Sequence, residues 1–300
     1  VIISAMEHSS VLEAAANQGC TITLVQPDQN GVIQPETVES AIRSDTALVS
    51  IQYVNNETGV IQPVSQIGSL LRKRRILFHC DAVQAYGKLP LYPKRMGIDL
   101  MSVSAHKLYG PKGVGALYVA KGVHIKPLLL GGGQESGMRS GTENVPGIVG
   151  FGAAVAEIFK NSAENRQKID ELGAYLREKL AKIEGIFFNS PENAVPYICN
   201  ISMPPLNSET VQHDLERQDI YVSAGSACSA KKPSRVMAAV GKGDLSRPAR
   251  HGAVGRPRSL RSAHQPWHLQ YERGDRQVVR LSAKRPRPLG TPLIWKSVSY

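Results

Sequence analysis

Ile76-Leu77-Phe78-His79-Cys80-Asp81-Ala82-Val83-Gln84 and Leu100-Met101-Ser102-Val103-Ser104-Ala105-His106-Lys107 decide how this chain is built. Each opens as a short apolar run and ends on polar residues capable of chemistry. Short apolar runs at 76–80 and 100–104 read as strands buried on both faces, the habit of a parallel sheet. Outward from them, 21–25 and 47–54 are further strand-like runs on one side and Gly115–Val119 on the other. Between these, Val11, Leu12, Ala15 and Ala16 recur at helical spacing, Pro35 and Glu36 open a helix through Ile42, and Val64, Ile67, Leu70 and Leu71 mark another. Strands alternating with helices predict an α/β domain, a mostly parallel sheet with helices on both faces.

A long helical stretch over 145–183, with its natural break at Asn161-Ser162, leads to strand-like 197–203, helical 209–218 and strand-like 220–223. The expected division is a large domain over 1–160, a smaller and incomplete α/β domain over 161–241, and a tail over 242–300. Of the 36 basic and 25 acidic residues, thirteen and three fall in the tail, which leaves 23 and 22 before it. The net charge of +11 therefore belongs to a neutral body with a basic tail. That tail has only Trp267 and Tyr271 among its arginines, without the aromatic interleaving of a single-strand binder. No specific nucleic-acid partner is expected, and the composition predicts disorder there. No apolar run approaches the ~20 residues that a membrane helix requires. Cys20, Cys80, Cys199 and Cys228 are far apart, with no C-x-x-C pair, so neither a disulfide scaffold nor a cysteine-cage zinc site is expected. A reducing, cytoplasmic setting follows as the expectation.

Several residues could carry chemistry, each with a plainer reading beside it. Lys107, just past a strand, can be partly desolvated and so favour bond formation with an aldehyde, or it can be a solvent-facing loop lysine. Ser104 and His106 could donate hydrogen bonds to an anion. Asp81, at a strand's carboxyl end where α/β sheets bind ligands, could hold a cationic ring nitrogen or cap the next helix. His8 and the Asn55-Asn56-Glu57-Thr58-Gly59 turn are open between function and structure. Gly131-Gly132-Gly133 and Arg139-Ser140-Gly141-Thr142 suit an oxyanion or form a mobile loop. Cys228 lies among small and polar residues with Lys231 and Lys232 following, which favours thiolate. Cys20, Cys80 and Cys199 border apolar runs and read as core residues.

Taken together and in this order, Glu7-His8, Val54–Gly59, Phe78–Gln84, Ser104–Lys107, Gly131–Gly133, Arg139–Asn144 and Gly225-Ser226-Ala227-Cys228 resemble the NifS/IscS-type cysteine desulfurases, fold-type I pyridoxal-phosphate enzymes of the class-V aminotransferase family. The resemblance runs from about Val1 to Gly241. It implies that Lys107 bonds the cofactor covalently, that His8 stacks on its ring and assists proton transfer, and that Asp81 pairs with the ring nitrogen. It implies that Gln84 faces the phenolic oxygen and Asn56 the substrate side. Ser104 and His106 would bind the phosphate, with Thr142 reaching the partner subunit's phosphate in a homodimer. Cys228 would attack the sulfur of L-cysteine and keep it as a persulfide, releasing alanine. It would pass that sulfur to an iron–sulfur scaffold or to tRNA thiolation, and would at times share a nascent cluster with the scaffold as a metal ligand.

The resemblance also sets expectations about what differs. The family's N-terminal region is not seen before Val1, Pro233-Ser234-Arg235 follows Cys228 early, and the likeness stops at Gly241. Activity from this stretch alone is not expected. The alternatives are a selenocysteine lyase, an inactive remnant, or a basic nucleic-acid-binding module. Codons for Ser262–Leu281 read one nucleotide later can spell Leu-Arg-Ile-Ser-Leu-Gly-Thr-Ser-Asn-Thr-Ser-Glu-Glu-Ile-Asp-Arg-Leu-Phe-Ala-Leu, and the family is expected to have Arg-Ile-Ser, Asn-Thr and Glu-Glu-Ile-Asp there. One step is forced, since Trp267 before His268 must give glycine. The tail is therefore expected to be out of frame.

Overall fold

Val64, Ile67, Gly68 and Leu71 recur at helical spacing and are all buried, so the apolar stripe of α3 (Val64–Arg74) faces the interior. Arg72, Lys73 and Arg74 occupy its last turn, where positive charge meets the carbonyl end of the helix. Arg75 then adopts φ 58° and the chain turns into a strand. α3 also touches the short α4 (Pro93–Met96) closely: a Cβ on Gly68 would stand 2.0 Å from the Met96 carbonyl oxygen. Only glycine fits there.

The computed structural model describes residues 1–160, 162–204, 206–224 and 234–242, and the backbone of 268–272 and 278–282. The chain divides into two compact units. The first comprises Val1–Asp28, Val32–Asn55 and Ile61–Arg166; the second holds Gln29–Gly31, Asn56–Val60 and the described residues from Gln167 onward.

In the first unit the strands are β1 (Ile2–Ser4), β2 (Thr23–Val25), β3 (Leu48–Ser50), β4 (Leu77–Asp81), β5 (Leu100–Ser104) and β6 (Gly115–Val119). The helices are α1 (Ser9–Ala16), α2 (Pro35–Ala41), α3, α4 and α5 (Val145–Lys160). The sheet has six strands in the order β2-β1-β3-β4-β5-β6, with the first five parallel and β6 antiparallel to β5. All three residues of β1 are buried, so that strand is covered on both faces, whereas β4 and β5 are less covered than their apolar runs led to expect, with Leu77 exposed and Ser102, Val103 and Ser104 half-buried. The order reverses between β1 and β3. Ligands in such sheets sit beyond the carboxyl ends of the strands.

The predicted 47–54 strand is shorter than expected, yet its backbone keeps bonding β4 through Ile51 N–H to the His79 carbonyl at 3.1 Å and Tyr53 N–H to the Asp81 carbonyl at 2.9 Å. Face assignment follows from the register. Ser50 pairs with His79, and Asp81 with Ser102, so Ser50, His79, Asp81, Ser102 and Ser104 share one face. Phe78, Cys80 and Met101 point to the other and are buried.

The expected helix over 145–183 comes as α5 and α6 (Ser162–Leu180). In the second unit β7 (Phe187–Phe188) pairs antiparallel with β8 (Ile201–Ser202), which is all that forms of the expected 197–203 strand. α7 (Ser208–Glu216) is capped by Asn207, whose side-chain oxygen accepts from Glu209 N at 2.9 Å and Thr210 N at 3.3 Å. α8 is Arg235–Ala239. The expected 220–223 strand is corrected: Asp219 turns at φ 58°, Tyr221 and Val222 are exposed, and no described strand lies alongside to pair with them.

Within the tail, β9 (His268–Glu272) and β10 (Val278–Ser282) form an antiparallel ladder. Composition led us to expect no regular structure there. The β-prone run Val278-Val279-Arg280-Leu281 accounts for the difference at these positions. No helix among the described residues is long and apolar enough to cross a membrane.

Candidate active site

The residues predicted to carry chemistry in the first unit follow the carboxyl ends of its strands. β1 runs into Glu7 and His8. Glu7 is buried, and its carboxylate accepts the backbone N–H of Gln52, while Gln52 and Asn55 side chains both donate to the Met6 carbonyl. This network ties the ends of β1 and β3 together. Asn55 is fully buried in it, whereas Asn56 is half-buried and belongs to the second unit.

His8 caps α1. Its Nδ1 accepts the Ser10 backbone N–H at 3.2 Å and stands 2.8 Å from Ser10 Oγ. A backbone N–H can only donate, so Nδ1 is unprotonated and a neutral ring carries its hydrogen on Nε2. The Nε2 edge is not used by the cap.

β4 ends in Asp81, whose Oδ1 accepts Val83 N–H at 2.9 Å, fixing the carboxylate in a local turn. Gln84 is half-buried three residues on. β5 ends in Ser104 and passes into a single 3-10 turn, Ala105–Leu108. Ala105 and Leu108 are buried and anchor it, which leaves His106 and Lys107 half-buried between them. Tyr109 closes the turn at φ 62°. Ser104 Oγ lies 2.7 Å from His106 Nδ1.

Burial, followed by the positive charges of Lys107, Lys112 and Lys88, lowers the His106 pKa, so the ring is neutral near pH 7. Between a neutral ring and a hydroxyl one group donates and the other accepts. Lys88 is pushed down to about 8, first by burial and then by the charge of Lys107. Sequence reading missed Lys88, since nothing local shows that Gly87-Lys88 packs near this turn. A Cβ on Gly87 would stand 2.9 Å from Leu108 Cδ2.

Thr142 is exposed in a loop that folds on itself, with Ser140 N–H donating to the Leu129 carbonyl at 3.1 Å and Gly141 N–H to Gln134 Oε1 at 2.9 Å. Cys228 lies outside the described residues. Cys80 is buried as expected, and burial holds its thiol well above the ordinary range, with Glu7 and Asp81 adding to the effect. Cys199 is half-buried and its thiol is raised by burial. The reading of Cys20 as core is corrected. β2 begins only at Thr23, so Cys20 sits in the exposed turn after Gly19. Among the described residues no group of three His, Cys, Asp or Glu side chains could hold a metal ion.

The donor set is thus a fixed carboxylate on one strand end and, on the neighbouring strand end, a hydroxyl–imidazole pair beside an amine. That chemistry fits a molecule with a cationic ring nitrogen, a phosphate and an aldehyde, which is pyridoxal 5′-phosphate.

Comparison with known proteins agrees. The profile of the class-V aminotransferases ("Aminotransferase class-V") matches residues 1–248. Cysteine desulfurase IscS of Dictyoglomus turgidum is 40% identical over 247 residues, which cover 80% of this chain and 63% of that protein. A solved structure titled NIFS-like protein superposes with a TM-score of 0.73 at 38% identity, over 80% of this chain and 65% of that one. SspA in complex with cysteine superposes with a TM-score of 0.67 at 37% identity, over 80% and 68%. The chain therefore spans under two thirds of the curated IscS relative. Class-V aminotransferases and cysteine desulfurases use pyridoxal 5′-phosphate. With the sheet, the strand-end residues and the match over 1–248 in agreement, the chain belongs to the class-V aminotransferase family, among its NifS/IscS-type cysteine desulfurases.

Proposed function

We propose that this chain supplies the cofactor- and sulfur-handling centre of a cysteine desulfurase, which takes sulfur from L-cysteine and leaves L-alanine and a persulfide on Cys228. The observation that carries the reading is the Ser104–His106–Lys107 turn, one strand away from the fixed carboxylate of Asp81. When bound, pyridoxal 5′-phosphate supplies an electron sink for the substrate's α-carbon.

The chain's own residues do the rest. Lys107 would hold the cofactor through its aldehyde, and Lys88 nearby disfavours two ammonium groups on that pair. Asp81 holds the ring nitrogen in its cationic form. Ser104 and His106 would bind the phosphate. His8 offers its Nε2 edge to the ring and to proton transfer, with Gln84 and Asn56 as contacts to ring substituent and substrate. Cys228 thiolate attacks the substrate sulfur; the carbon–sulfur bonding pair leaves with carbon, which takes up a proton, and the sulfur stays on Cys228.

The protein works in this reading as a homodimer, Thr142 reaching the partner subunit's phosphate. An iron–sulfur scaffold or another sulfur-acceptor protein receives the sulfur, and Cys228 is a transient cluster ligand there. A cytoplasmic location accords with the free thiols of Cys20, Cys80 and Cys199.

Incubating the full chain with pyridoxal 5′-phosphate, reducing with borohydride and mapping the peptides tests the centre of this reading. The adduct is expected on Lys107. An adduct on Lys88, Lys112 or Lys121 instead overturns it.

A further inference from the structure

Three adjacent parallel strands each place one polar side chain in a single line across the sheet. Ser50 Oγ on β3 stands 2.8 Å from His79 Nδ1 on β4, and His79 Nε2 stands 2.9 Å from Ser102 Oγ on β5. The line is not level. Ser50 is the register partner of His79, but Ser102 is the partner of Asp81, so the imidazole reaches diagonally toward the carboxyl edge. His79 and Asp81 are two residues apart on one strand and lie on the same face.

Both ring nitrogens are thus committed, and the ring cannot rotate without breaking a tie to one neighbouring strand. A charged imidazole here would matter greatly. It would pair with Asp81 along the strand and cancel the charge of that carboxylate. Two hydroxyls could serve an imidazolium or a neutral ring equally well, since each can donate or accept. Burial decides between them: it lowers the His79 pKa, and Asp81, the charged group that acts on the ring, opposes it more weakly.

We propose that His79 is a positioning residue for Asp81: an uncharged imidazole, fixed across three strands by Ser50 and Ser102, that holds the end of β4 in place and leaves the Asp81 carboxylate to a cationic ligand. The inference rests on the reading of Asp81 as partner of the cofactor's ring nitrogen. It extends that reading to residues that neither touch the cofactor nor take part in sulfur transfer.

Two measurements on the full chain test it. With carbon-13-labelled histidine and no cofactor added, the His79 signal, assigned through His79→Gln, should be at its neutral position at pH 7 and titrate only below the ordinary histidine midpoint. A normal titration midpoint near 6.5 overturns the proposal without any variant having to fold. With pyridoxal 5′-phosphate, His79→Lys should weaken cofactor binding at least 10-fold and shift the pH titration of its absorbance band. His79→Gln, an uncharged side chain that can still bond a serine, should stay within 3-fold. A His79→Lys protein that folds and matches the unsubstituted protein in affinity and titration overturns the inference alone. Failure of the unsubstituted chain to form a Lys107 adduct removes the underlying reading as well, so the two failures are distinct.

Discussion

Replacing Lys88 by methionine should make this protein more stable at pH 7 and leave it no more stable at pH 10.5. Lys88 is pushed from its ordinary 10.5 to about 8, first by burial and then by the charge of Lys107. In the unfolded chain its amine returns to roughly 10.4. Between those two values the unfolded state binds more protons than the folded state, so stability rises with pH across the window. The penalty is complete below about pH 8 and gone above roughly 10.4. A gap of about 2.5 units at about 1.36 kcal/mol each sets a ceiling of ~3 kcal/mol. Lys88 keeps part of its surface in water, which brings the expected gain to about 1–2 kcal/mol. Methionine keeps most of the apolar stem, so little packing is lost. Urea titration of the full chain reads the effect directly, as a midpoint rise of roughly 0.5–1 M at pH 7 that disappears at pH 10.5. Equal midpoint offsets at both pH values, or a loss of stability at pH 7, would refute the electrostatic account.

Three further outcomes are expected. In a version of the protein that releases sulfide, Cys228→Ala should keep the cofactor spectrum and lose persulfide labelling, whereas persulfide on Cys20, Cys80 or Cys199 would sink the assignment. Gly68→Ala should cost about 1–3 kcal/mol in urea titration, because its Cβ would stand 2.0 Å from the Met96 carbonyl and outweigh the ~1 kcal/mol helix-propensity gain. Gly152→Ala, with no atom within 4 Å of its Cβ, serves as the neutral or stabilising control. We propose that the tail over 242–300 is, at least in part, read out of frame, with a one-base slip between about Gly241 and Ser262. DNA sequencing across 241–282 should then find Arg-Ile-Ser encoded over 263–266 in the shifted frame, and codons that cannot encode it would end the idea.

What could be read from sequence and what could not divide along a physical line. β5 and β6 were placed residue for residue, since each apolar run is bounded by polar or glycine-rich sequence that ends it. Lys107 and Asp81 were legible for a related reason. A group at the end of a strand is located as soon as the strand is, because parallel sheets bring all such ends to one edge. Cys20 went wrong because adjacency to an apolar run says nothing about which side of the turn the sheet begins on. The second unit's strands were over-read: of 197–203 only Ile201–Ser202 pairs, with β7, and no described strand pairs with 220–223. Nothing in the sequence could have shown Lys88 or His79. Lys88 is 19 residues from Lys107, and its lowered proton affinity comes from burial and from the charge of Lys107, which the fold brings near. His79 reads, within its own strand, as one polar residue among apolar ones. Its meaning depends on Ser50, 29 residues before it, and Ser102, 23 after it, which the sheet alone brings into line. The groups that would touch a ligand are therefore local in sequence, while those that would tune them are assembled by register. Substitutions at Ser50, His79, Lys88 and Ser102 accordingly test the fold's contribution to the site separately from its chemistry.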